Sequence, residues 1–134
     1  MITQRVAYVN GEIIPESDAK ISIHDRGFLQ GYSVFDTTRT FGHRIFKLDE
    51  HLDRFFKSLK YARIDPLIDK SELTRITMEV VNINLPLISD DDDYWVTQRV
   101  SRGISTPEGD NPTVIVESVP LPFSARAKYY SEGM

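Results

Sequence analysis

The stretch HDRGFLQGYSVFDTTRTF, residues 24–41, carries a turn and a strand back to back. RGFLQGY, with glycine near each end, has the form of a short helical turn. From Ser33 onward Val, Phe and Thr dominate, residue types that suit a pleated surface. Side chains on a strand alternate faces, so Ser33, Phe35, Thr37, Arg39 and Phe41 share one face and Val34, Asp36, Thr38 and Thr40 the other. An arginine flanked by aromatics and hydroxyls can hold a carboxylate beside an apolar group. The same pattern also describes a plain sheet face with a surface arginine.

Working outward, RVAYVNGEIIP alternates and turns at Asn10-Gly11, a two-residue hairpin signal because both residues tolerate positive φ. AKISIHD is expected to be a second short extended stretch. Gly42-His43 makes a turn after which RIFKL returns as the second arm of a hairpin. LDEHLDRFFKSLKYARI predicts a helix: Leu48, Leu52, Phe55, Leu59 and Ala62 recur at helical spacing, and Asp49 and Glu50 occupy the first turn, where the helix dipole favours acids. Asp69 and Glu72, at capping-box spacing, open a second helix with Leu73, Ile76, Val80 and Ile83 as its apolar stripe. SDDDD, 89–93, is expected to be a solvated loop. YWVTQRVSRG and PTVIVESVPLP are expected strands, and SARAKYYSEGM the beginning of a helix. Strands, two helices and strands again predict an α+β domain, a mostly antiparallel sheet with helices packed on one side.

Two further constellations stand out. Arg102 ends a strand and begins a loop, where binding groups concentrate; it suits a carboxylate or phosphate, or is a solvated end-of-strand cation. His51, Arg54, Ser58 and Tyr61 form a polar stripe beside the apolar one on the first long helix. That stripe fits a phosphate, and equally a polar seam between layers. No metal site is expected: the three histidines lie in separate elements and no zinc or EF-hand spacing occurs. Walker, dinucleotide and serine-nucleophile motifs are absent.

At 134 residues the chain suffices for one domain with a real core. A net charge of −4 argues against nucleic acid as a partner. The lack of cysteine removes disulfides and thiolate chemistry. No apolar run approaches the ~20 residues of a membrane helix, and MITQRVAYVNGE lacks a signal-peptide core. A cytoplasmic protein without membrane contact is the expectation.

Taken in order, YVNGEIIP, AKISIHDRGFLQGYSVFDTTRTF, IFKLDEHLDRFFKSLKYARI and QRVSRG resemble the N-terminal part of class IV aminotransferases. These are fold-type-IV enzymes of pyridoxal 5'-phosphate (PLP), among them branched-chain and D-amino-acid aminotransferases, amine transaminases and aminodeoxychorismate lyases. The resemblance implies the small N-terminal domain of the D-amino-acid aminotransferase-like fold at 1–122, with 123–134 the linker or start of a C-terminal domain. It implies transfer of an amino group between an amino acid or amine and a 2-keto acid, with a PLP-dependent lyase or a non-catalytic remnant as alternatives. Arg54, of the EHLDR motif, would bind the cofactor phosphate. Phe35, Arg39 and Arg102 would face the substrate. Phe35-Asp36-Thr37 stands where branched-chain enzymes have Phe-Glu-Gly, and Gln30 where they have tyrosine, so the subgroup stays open. Lys20, Lys47, Lys57, Lys60, Lys70 and Lys128 do not align with the family's catalytic lysine, which lies in the second half. The chain alone is therefore expected to be inactive. The resemblance also implies a homodimer, with Phe28, Leu29, Phe123, Tyr129 and Tyr130 as exposed apolar residues that would drive self-association.

Overall fold

The structure, a computed structural model, describes residues 3–122. A six-stranded sheet runs β1 (Val6–Val9), β2 (Glu12–Pro15), β3 (Ser33–Phe41), β4 (Arg44–Ile45), β5 (Tyr94–Thr106) and β6 (Gly109–Pro120), in spatial order β2-β1-β6-β5-β3-β4 with every pairing antiparallel. A short helix α1 (Arg26–Gln30) precedes β3, and α2 (Leu48–Ala62) and α3 (Lys70–Asn84) separate β4 from β5. The β1–β2 turn is the Asn10-Gly11 pair, both at positive φ (48° and 100°), and Val9 pairs with Glu12 across it.

The two long helices cover one face of the sheet. Leu52, Phe55 and Leu59 of α2 and Leu73, Ile76 and Val80 of α3 are essentially excluded from water, packed with Tyr8, Val100, Val114 and Val116 of the strands. Burying such side chains contributes ~1.5–3 kcal/mol each before conformational entropy is subtracted. Leu48, Ala62 and Ile83 lie only half-buried at the ends of the same stripes. Asp69 caps α3 by accepting from the Glu72 amide at 2.8 Å, but Glu72 does not return the bond; its carboxylate takes Arg75 instead, at 2.6 Å.

Four expectations need correction. AKISIHD forms no strand, because Ser22 folds the chain locally: its hydroxyl accepts from the His24 amide and its carbonyl from the Asp25 amide. RIFKL pairs only at Arg44 and Ile45. Phe46 donates to Arg39 once more, and Lys47 then turns left-handed (φ 50°) into α2. The acidic run is not solvated throughout. Asp93 is 7% exposed and accepts from the Thr40 hydroxyl (2.5 Å) and the His43 amide (2.9 Å), tying down the β3–β4 turn. Finally, β5 continues past Gly103 through a register shift between Ser101 and Ile104. The helix expected in SARAKYYSEGM and the linker at 123–134 lie outside the described residues. Among the described residues no helix is long and apolar enough to cross a membrane.

Candidate functional site

His51 and Arg54 stand one turn apart on α2, beside the apolar stripe, and the helix lies along β3. That register brings both onto Asp36, whose side chain points to the helix face of the strand and is 6% exposed. Arg54 Nε donates to Asp36 Oδ2 at 2.8 Å and Nη2 to Oδ1 at 2.7 Å, a two-pronged fork. His51 Nδ1 lies 2.9 Å from Asp36 Oδ1. Burial pushes the Asp36 carboxyl up, but the hydrogen bonds and charges of Arg54 and His51 outweigh it and hold the group below the ordinary aspartate value. Asp36 in turn raises Arg54. Ser58 is half-buried and Tyr61 is 92% exposed, so the expected stripe reduces to His51 and Arg54.

The fork occupies only the inner edge of the guanidinium. The Arg54 side chain is 65% exposed, and Nη1 has no partner among the described residues. Its outer edge faces a cleft of about 220 Å³ shared with Lys47, Glu50 and His51. The first turn of α2 opens nearby, and Lys47 makes no side-chain cap there. Two cations, a histidine and free amide donors suit a phosphate. Among the described residues that line the cleft, Glu50 carries the opposing charge.

The sheet face away from α2 and α3 is built in cross-strand rows. Phe35, Arg99 and Ile115 form one row, Thr37, Thr97 and Glu117 the next, and Arg39, Trp95 and Val119 the next. Phe35 is 60% exposed. Arg39 is half-buried, its guanidinium 3.8 Å from the Phe41 ring centre, its Nε on the Thr40 carbonyl and its Nη2 3.8 Å from Asp93. Phe35 and Arg39 thus share the open face as the alternation predicts, while Arg54 approaches the same strand from behind.

Arg102 sits apart, at the bulge. Its Nε donates to Asp110 at 2.7 Å and Nη1 to the Tyr32 hydroxyl at 2.9 Å, with the guanidinium over the Tyr32 ring. Asp110 also receives Arg26, which bonds the carbonyls of Arg102 and Gly103. Arg102 takes an added carboxylate only by loosening this knot. Sequence reasoning missed Asp36, Arg99 and the buried Asp25, which accepts from the Gly27 amide and from the hydroxyls of Ser101 and Thr113. An acid among Val34, Thr38 and Thr40 on the strand's other face was the available signal for Asp36, since a buried carboxylate needs a cation or several donors. Among the described residues no group of three or more His, Cys, Asp or Glu is placed to hold a metal.

Asp25, Asp36 and Asp93 share one behaviour. In each, burial acts to raise the carboxyl and hydrogen bonds pull it lower still, below 3.8. A depressed native pKa adds stability above the unfolded value that is lost as pH falls through the native one. Urea midpoints measured at successive pH values are therefore expected to hold from neutrality to about pH 4 and drop below it. Asp25→Asn, destabilised at neutral pH, should show a shallower acid drop; an unchanged drop would remove Asp25 as a contributor.

The family model described as amino-transferase class IV matches residues 33–131. A putative branched-chain-amino-acid aminotransferase of Methanocaldococcus jannaschii is 32% identical over 120 residues, covering 86% of this chain and 40% of that protein. An aminodeoxychorismate lyase of Bacillus subtilis is 33% identical over 126 residues, covering 85% of this chain and 42% of the relative. The chain thus spans about two fifths of the length of these curated relatives. The solved PLP-bound form of a hypothetical aminotransferase from Mycobacterium tuberculosis superposes with a TM-score of 0.78 at 21% identity, over 91% of this chain and 42% of that one. That likeness speaks to the fold.

Proposed function

The chain belongs to the class IV aminotransferase family, and on that premise we propose that residues 1–122 form the N-terminal domain of a PLP enzyme moving an amino group between an amino acid or amine and a 2-oxo acid. Residues 123–134 would begin the link to a further domain. The observation that carries this reading is the half-occupied guanidinium of Arg54. Asp36 fixes its plane from inside, and its outer edge is left to a dianion. A cofactor phosphate fits that edge, with Lys47 and the α2 amides as supplementary donors. The cofactor, when bound, supplies an electron sink for bond breaking at the substrate's α-carbon.

The chain's own residues position. Arg54 holds the phosphate, Asp36 and His51 hold Arg54, and Phe35 and Arg39 form a wall of the substrate pocket on the open face. Arg102 completes the proposed substrate set from the bulge. Placement of this kind acts on rate through orientation. None of the chain's lysines is proposed as the catalytic one, so the 134-residue chain is expected to transfer no amino group by itself. Phe28 and Leu29, 65% and 58% exposed, are the apolar residues proposed to meet a further domain or a second copy in a homodimer; Phe123, Tyr129 and Tyr130 lie outside the described residues.

The direct test titrates the chain with PLP and with pyridoxal, which lacks the phosphate, while following the Arg54 Nε–Hε resonance. Only the phosphate ester should shift it. Equal response to both, or none, would overturn the reading. A lyase of the same cofactor is the second reading, favoured by the Bacillus subtilis relative. Product analysis on the full-length enzyme separates them, amino transfer against release of pyruvate.

A further inference from the structure

Arg99 has no part in the proposed function, and its surroundings ask for one. It sits in the central row of the open face, between Phe35 on one neighbouring strand and Ile115 on the other. Its guanidinium lies 4.9 Å from the Phe35 ring centre. Among the described residues the guanidinium makes no hydrogen bond and no ion pair. Four other arginines are all engaged: Arg26 and Arg102 on Asp110, Arg54 on Asp36, Arg39 on Asp93 and Phe41.

The neighbourhood defines what such a cation would take. Arg99 lines a cavity of about 200 Å³ with Phe28, Ile21 and Ile115, and Asp25 is among the other lining residues. That carboxylate is 1% exposed and already holds its donors, so it offers nothing to a ligand. On the other side stand Thr37 and Thr97, with hydroxyl oxygens 2.9 Å apart. One hydroxyl donates to the other, which leaves a second proton free to donate. A guanidinium, a spare hydroxyl and an exposed aromatic ring therefore lie in adjacent rows of one strand pair.

We propose that Arg99, rather than Arg102, receives the carboxylate of a small apolar acid on the open face, with Phe35 against the hydrocarbon part. This rests on reading that face as the substrate wall, and it reassigns the anion contact within it. Arg102 is braced by Asp110 and Tyr32 and would have to break both contacts to do the same. Arg99 breaks no hydrogen bond.

The test follows arginine Nε–Hε resonances in the 134-residue chain during titration with sodium isobutyrate, with isobutyramide as the uncharged control. The Arg99 resonance is expected to shift saturably with the acid and not with the amide. Arg99→Gln should weaken the interaction ~10-fold or more. Position 99 lies outside the packed layer, so this variant is expected to fold, and methyl resonances of the core check that it does. The Arg102 Nε–Hε signal of the same chain, held by Asp110 and Tyr32, is expected to stay still during the isobutyrate titration. A saturable shift at Arg102 or Arg39 instead of Arg99, or no saturable shift at all, overturns the proposal. Inorganic phosphate in a parallel titration reports on Arg54. Loss of the phosphate response alone would count against the cofactor reading, and loss of the isobutyrate response alone against the Arg99 assignment.

Discussion

Arg54→Gln is expected to weaken binding of phosphate and of PLP to the chain by ~10- to 100-fold, the range associated with losing a charge-assisted pair of hydrogen bonds. Glutamine keeps part of the reach and loses the charge and the fork. Arg54→Lys should fall between, because an ammonium retains attraction but cannot bridge Asp36 and a phosphate in one plane. Phosphorus NMR or calorimetric titration reads both variants. The change also touches Asp36, which would keep only the His51 ring nitrogen of these two partners in a nearly closed site. With Arg54 gone the Asp36 carboxyl should titrate at higher pH than in the parent. The stability lost in the variant should therefore be largest at neutral pH and shrink below the ordinary aspartate value, where Asp36 is protonated and needs no cation. Affinity unchanged in Arg54→Gln would end the case for this cleft as a phosphate site.

Gly103→Ala is expected to cost ~3 kcal/mol or more of unfolding free energy, or to prevent folding. The glycine has φ +69° at the β5 bulge, and a Cβ there would lie 1.8 Å from the Asn111 carbonyl oxygen and 2.8 Å from Pro112 Cα. Those are backbone atoms of the paired strand, so no side-chain rotation relieves the overlap; the hairpin itself must open. Gly31→Ala is the matched control. It has φ +65° with nothing within 4 Å of a Cβ, so it carries the left-handed penalty alone, ~1–2 kcal/mol. The difference between the two in denaturant titrations measures the close approach. Equal costs would show that the bulge yields easily. The loss should reach the Arg26–Asp110–Arg102 knot as well, since Arg26 grips the Gly103 carbonyl.

Local patterns carried most of the fold. The Asn10-Gly11 turn, the apolar stripes of α2 and α3 and the alternation along β3 each depend on residues close in sequence, and all appear where the residue types place them. Features set by distant partners were less visible. Asp93 sits in an acidic run that looks solvated, and only the approach of Thr40 and His43 across the fold makes it a turn anchor. Ser22 overrode a good β pattern through hydrogen bonds that no apolar spacing announces. On the open face, the shared orientation of Phe35 and Arg39 followed from strand alternation; their role toward a substrate is what the family resemblance implies. Asp36 was placed on the correct face but not connected to Arg54, because that link runs between a helix and a strand. Arg99 looked like one more strand cation; its want of a partner is a property of the assembled face.

The two-sidedness of β3 and β5 bears on how such a protein can change over time. Even positions of β3, such as Asp36 and Thr38, and of β5, such as Val96, Gln98 and Val100, belong to the packed layer, while odd positions such as Phe35, Thr37, Thr97 and Arg99 face outward. Because the parity is kept along both strands up to the bulge, a lineage can change the side chains at odd sites without disturbing the interior. A single inserted residue in either strand would swap the two sets at once. Drift in the side chains of the open face is thus easily tolerated, whereas length variation within these strands should be strongly selected against.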